Sequence, residues 1–209
     1  MSQAGIVERL AYRPRPDGPH ARLGVVWFVL AVGACVLGYL AVGVLFTCVA
    51  VLAVLQLVRA WAARGRRGPF TLLRCAFLPA ITVASVALLA YADMGAMVIL
   101  LLLVSAYEIG DYLMGAEANG VLEGPVSGMA AVLVTTFAIS VLQLGPFEMR
   151  TVWVFGALVA VLAPFGAVLA SAIAPSADEA GTALRRLDAW IVVAPVWAWL
   201  LLVHLGRIG

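Results

Sequence analysis

Glu108 and Asp111 stand three positions apart, and Arg185, Arg186 and Asp188 crowd one short stretch, in a chain where ionisable groups are scarce. A spacing of three puts the two carboxylates on one helix face. A charged group within a membrane helix costs about 2.5–3.5 kcal/mol at the centre and less near the end. The acidic pair therefore needs a water-filled cavity, a metal ion or a cationic partner, and Arg185 or Arg186 could be that partner. The alternative is that both groups lie beyond the hydrocarbon, among lipid headgroups. Their surroundings are "YEIGDYLMGAEANGVLEGPVSG" (107–128), with Glu108, Asp111, Glu117 and Glu123 and no basic residue, and "APSADEAGTALRRLD" (174–188), with Asp178 and Glu179 besides the arginines and Asp188. Hard carboxylate oxygens suit magnesium, and magnesium suits phosphate substrates. Glycines let backbone approach a phosphate closely. A phosphate site also needs cations, and only Arg185 and Arg186 are near these carboxylates in the sequence.

The elements that must carry these residues are membrane helices. Of the 209 residues, 65% are hydrophobic and 11% charged, against about 45–50% and about 25% in soluble domains. The apolar residues form long blocks, and about 20 such residues span a bilayer as helix. The blocks lack the alternation of barrel strands. The expected fold is all-α: a polytopic transmembrane bundle of about seven helices, at roughly 23–42, 44–63, 70–92, 94–115, 126–144, 151–174 and 188–206. Residues 23–209 make one membrane domain behind an Arg- and Pro-rich arm, 1–22, read as disordered and cytoplasmic. Arg9, Arg13, Arg15 and Arg22 precede the first helix, and Arg64, Arg66 and Arg67 follow the second, while the loops after helices one and three carry no basic residue. Positive charge favours the cytoplasmic side. The N-terminus and both acidic stretches are then cytoplasmic, in a multi-pass protein of the cell membrane.

Other features are plainer. Pro79, Pro164 and Pro195 fall inside helices and permit kinks. Cys35, Cys48 and Cys75 lack zinc-site spacing and read as small buried hydrophobes. The net charge is only +2, every basic side chain among the Lys and Arg set is Arg, and no aromatic-interleaved basic patch marks a nucleic-acid binder.

These polar stretches resemble the cytoplasmic motifs of the CDP-diacylglycerol synthase (phosphatidate cytidylyltransferase) family, as a shortened and motif-degenerate member. Against that family's "DTGAYxxGRxFGKHKLxxxISPKKTWEGxxGG", Glu108 stands at the Asp position, and Gly110, Tyr112, Gly115, Glu123, Gly124 and Gly128 match. The basic middle of the motif is missing. Against "GDLxESxxKR", "FGAVLASAIAP" keeps Gly166 and Ser171 but has Ala167 and Ala170 at the acidic positions and Ala174-Pro175 at the basic pair. Against "GGxxDRxD", "GTALRRLD" keeps Gly181, Arg186 and Asp188, with Arg185 at the first aspartate and Ala180 at a preceding histidine. Upstream, "LVRAWAARGRRG" resembles the second-helix end of actinobacterial members.

The resemblance implies a site that takes CTP and phosphatidic acid with magnesium. Asp188, Arg186 and Glu123 would be catalytic, Arg185, Gly181, Tyr112, Gly124 and Ser171 would bind substrate, and Glu108, Asp111 and Asp188 would hold the metal. An arginine at a metal-ligand position replaces an attracting charge with a repelling one. The expectation is a catalytically impaired homologue that binds an anionic phospholipid, phosphatidic acid or a membrane partner, a second copy included. The alternative is an active CTP- and magnesium-dependent cytidylyltransferase.

Overall fold

A computed structural model describes residues 20–115, 122–176 and 181–206, so the expectations resting on Arg9, Arg13, Arg15, Glu117, Asp178, Glu179 and Ala180 lie outside the described residues. Every regular element in the described residues is a helix: α1 (His20–Leu37), α2 (Tyr39–Ala63), α3 (Pro69–Ala92), α4 (Met94–Gly115), α5 (Glu123–Val141), α6 (Met149–Ile173), α7 (Thr182–Arg185) and α8 (Asp188–His204). Five of them, α2 to α6, are long and apolar enough to cross a membrane, and the apolar parts of α1 and α8 are shorter. The chain is thus a multi-pass membrane protein by length and composition.

The helix boundaries have local causes. The first two helices part at Gly38, not near residue 43, because Gly38 has φ 105°, a conformation that only glycine adopts without strain. Gly43 lies inside α2. Helix α1 begins at His20, so it takes the last residues of the stretch expected as an arm. Asp93 alone separates α3 from α4. Its backbone is extended, and its Oδ1 accepts the Ala96 N–H at 2.9 Å, which caps the new helix. Gly68, at φ 151°, precedes Pro69 at the first position of α3, where a missing N–H costs nothing. Helices α3, α6 and α8 run unbroken through Pro79, Pro164 and Pro195.

Contacts between chain-distant residues show that the long helices alternate between two ends of the bundle. At one end Gln56 meets Thr182, Trp61 meets Ile173, Arg74 meets Ala172, and Arg186 meets Glu108. At the other, Tyr39 packs on Tyr91 at 5.5 Å between ring centroids, a Cβ on Gly95 would touch Pro146, and Phe147 lies beside His204. Helix α8 is the central element. It packs on α3 and α6 and buries Trp190, Ala194, Trp197 and Leu201. At about 1.5 Å per residue, its 17 residues reach roughly 26 Å, shorter than the hydrocarbon it would share with its neighbours. Trp190 packs edge-on against Phe46 and Trp197 packs tilted against Phe155, with centroids 4.9 and 4.5 Å apart. The outer faces of α1, α2, α3, α5 and α6 expose large apolar side chains such as Val29, Leu40, Phe70, Phe137 and Phe165. Cys35 and Cys75 are buried as expected, but Cys48 faces outward on α2.

Candidate functional site

The polar residues converge at the end of the bundle where α4, α6 and α2 finish and α5 and α8 begin. The turn that delivers the arginines is held from α2. Gly181, at φ 77°, lies so close to Gln56 that a Cβ would collide with the amide. Gln56 Oε1 accepts the Ala183 N–H at 3.1 Å, and its Nε2 donates to Thr182 Oγ1 at 3.5 Å. Gln56 thereby satisfies backbone and side chain at the start of α7. Sequence reasoning passed over Gln56; the available signal was a lone amide in the apolar run "VLAVLQLVRAW".

Beyond α7, a turn at Arg186 and Leu187 leads into α8. Asp188 Oδ1 accepts the Ala189 N–H at 2.6 Å. The Asp188 carbonyl sits directly against Gly166 of α6, where a Cβ would collide with it. That glycine lets α6 and α8 cross in backbone contact.

Two ion pairs form here. Arg186 Nη1 is 3.8 Å from Glu108 Oε2, and Arg185 Nη1 is 3.7 Å from Asp188 Oδ2. All four side chains are about four-fifths or more buried: 18% and 21% exposed in the first pair, 14% and 17% in the second. Both separations are longer than an ideal hydrogen bond, so charge attraction is the main bond in each pair. The second Glu108 oxygen, Oε1, is buried without a hydrogen-bond partner among the described residues. Asp111 completes the cluster, with Asp188 and Arg185 as its charged neighbours. Arg186 also runs along α1, where Gly24 leaves the space: a Cβ there would stand 3.1 Å from Arg186 Nη1.

The structure therefore gathers Glu108, Asp111, Arg185, Arg186 and Asp188 from α4, α7, the turn and α8. Of the two readings of the acidic pair, a cationic partner is what Glu108 has. The other expected site residues have other neighbours. Gly124 is buried, and a Cβ on it would meet Asp111 Oδ1 at 2.7 Å and the Gly115 Cα at 3.1 Å. Gly128 likewise faces the Tyr107 ring at 2.7 Å, and Gly110 faces the Ser127 carbonyl at 2.8 Å. These glycines let α4 and α5 approach closely, and this is the most extensive helix pair in the bundle. Glu123 is exposed at the first turn of α5, where an acid favours the positive helix end. Tyr112 is half-buried in the last turns of α4, and Ser171 is wholly buried in α6.

Beside the cluster, three donors hold the end of α6, which has an extended cap and no capping turn. Trp61 Nε1 donates to the Ile173 carbonyl at 2.9 Å, Arg74 Nη2 to Ala172 at 2.9 Å and Arg64 Nη1 to Pro175 at 3.0 Å. The guanidiniums of Arg74 and Arg66 lie 4.8 and 5.4 Å from the Trp61 ring centroid. Cations at the negative end of a helix are favourable.

The donor set fits magnesium poorly. Glu108 and Asp188 each face a guanidinium, and among the described residues no three His, Cys, Asp or Glu side chains form a group that could hold a metal ion. No protein-family model, curated protein or solved structure matches this chain. The likeness to phosphatidate cytidylyltransferases rests on the motif residues alone.

Proposed function

We propose that this chain is a non-catalytic, multi-pass protein of the cell membrane that binds an anionic phospholipid at its arginine-rich end. One observation carries the non-catalytic half: Arg186 and Arg185 each answer a carboxylate, Glu108 and Asp188, that a metal–nucleotide site would need open. The charged cluster then latches the ends of α4 and α8 and the turn between α7 and α8. For lipid binding, the support is a collar of exposed arginines, Arg59, Arg64, Arg66, Arg67 and Arg74, at that same end. Basic groups near a membrane surface attract anionic lipid with about 1 kcal/mol each. The other end has Arg150 as its described arginine, and Asp93 and Glu148 belong to that same end. That asymmetry supports seven crossings with the N-terminus and the cluster cytoplasmic.

A second reading, CTP-dependent cytidylyl transfer to phosphatidic acid, has one observation in its favour. The described parts of 107–128 and 174–188 meet at one end of the bundle. Purified protein incubated with CTP, magnesium and phosphatidic acid decides between the two. The expected result is no CDP-lipid above a protein-free blank, with anionic phospholipid retained through purification. Turnover that scales with protein concentration would overturn the proposal.

A further inference from the structure

The seam between α3 and the end of α6 contains an open groove of about 490 Å³, lined by Phe70, Leu73, Arg74, Phe77, Leu78 and Ile173. Its walls are almost wholly apolar, yet it lies at the charged end of the bundle. Phe70, Leu73 and Phe77 recur at helical spacing on one face of α3 and are 81%, 61% and 57% exposed. No helix among the described residues covers that face. The floor is fixed, because Arg74 and Trp61 tie α3 and α2 to the Ala172 and Ile173 carbonyls. From Phe70 to Leu78 the groove runs about 12 Å along α3, at ~1.5 Å per residue.

Just before α3, the sequence "RGRRGP" carries Arg66 and Arg67, both exposed and within four residues of Phe70, the first residue of the groove's lining. Arg66 leans over the Trp61 ring at 5.4 Å, the ring that the groove-lining Arg74 also covers at 4.8 Å. An open apolar trough with arginines close by in sequence and on the neighbouring Trp61 ring complements one kind of molecule: an amphiphile with a hydrocarbon chain and an anionic head. We propose that this groove is the seat of an anionic phospholipid, with one acyl chain along Phe70, Leu73 and Phe77 and the phosphate at Arg66 and Arg67. The site rests on the lipid-binding reading above and gives it a location, away from the Glu108–Arg186 cluster. Arg74 acts as a wall of the groove and as the tie to α6.

Native mass spectrometry of the full chain, released from nanodiscs of mixed phosphatidylglycerol and phosphatidylcholine, tests it. The parent should retain phosphatidylglycerol selectively. Joint Arg66→Gln and Arg67→Gln should weaken retention roughly 25-fold, at about five-fold per arginine. Leu73→Trp, which fills the trough and leaves the arginines in place, should reduce it as well. Arg150→Gln, at the opposite end, should change nothing. Folded Leu73→Trp and double-Gln variants that keep parental selectivity would overturn the groove while leaving lipid binding intact. A folded parent that retains no anionic lipid at all would overturn the lipid-binding reading itself.

Discussion

Arg185 and Arg186 lie in an environment where an unpaired charge would be costly. Removing one partner of a buried ion pair leaves the other charge uncompensated, whereas removing both can be nearly neutral. The Arg186–Glu108 contact is mostly buried but long, at 3.8 Å. Arg186→Ala should therefore destabilise the protein by ~1–3 kcal/mol, less than a fully buried pair would lose. Adding Glu108→Ala should recover at least half of that. Unfolding in detergent, followed by tryptophan fluorescence, measures the four corners of the cycle, and strictly additive losses would show that the two groups do not interact. The sequence offered a cationic partner as one of several readings of the acidic pair, beside a cavity, a metal ion and the headgroup zone, and the structure sets Arg186 against Glu108. The sequence did not choose between Arg185 and Arg186, because adjacent residues of a turn differ in direction only once the turn is built. Gln56 was hidden for a related reason. A lone amide is unremarkable until a backbone N–H from far along the chain, that of Ala183, arrives beside it.

Among the helices, glycine does two different things, and substitution separates them. At Gly128 a Cβ would press on the Tyr107 ring at 2.7 Å and on its carbonyl at 2.9 Å. At Gly33 a Cβ would meet nothing within 4 Å. Gly128→Ala should cost ~1–3 kcal/mol through overpacking of α4 on α5. Gly33→Ala should be neutral or stabilising by up to about 1 kcal/mol, because alanine loses less backbone freedom in a helix. Thermal unfolding of both proteins in one detergent makes the comparison. Equal shifts would mean that the α4–α5 contact is not what Gly128 serves. The motif resemblance matched Gly124 and Gly128 to glycines of the family and gave Gly124 to substrate binding. Their four-residue spacing at the head of an apolar helix was also the signal for close helix packing. Sequence spacing alone does not distinguish the two roles, since both need the same missing Cβ.

For the whole bundle, the proposed orientation makes a labelling prediction. Gly38, Asp93 and the 142–148 turn share one end, and residues 64–68 share the other with the charged cluster. In intact cells, a membrane-impermeant maleimide should label Gln143→Cys from outside and leave Arg67→Cys unlabelled until the membrane is opened. The background is the parent chain with Cys35, Cys48 and Cys75 replaced by alanine. The opposite pattern would reverse the orientation, and labelling of both would break the alternation on which seven crossings depend.

Composition and periodicity by themselves determined that this chain is helical, that its helices belong in a membrane, and that arginine gathers toward one end. These follow from local physics: a backbone in hydrocarbon must satisfy its own hydrogen bonds, and 3.6 residues per turn fix which side chains share a face. Tertiary structure decided what those faces meet. It moved the first helix break to Gly38, set Arg186 against Glu108, placed Gly166 under the Asp188 carbonyl, and gave the end of α6 to Trp61, Arg64 and Arg74. Each of these joins residues remote in sequence or turns on one backbone angle. In a chain of similar apolar helices, hydrophobicity does not rank the partners. Close glycine contacts and scarce polar groups do, and their geometry exists only once the bundle is packed.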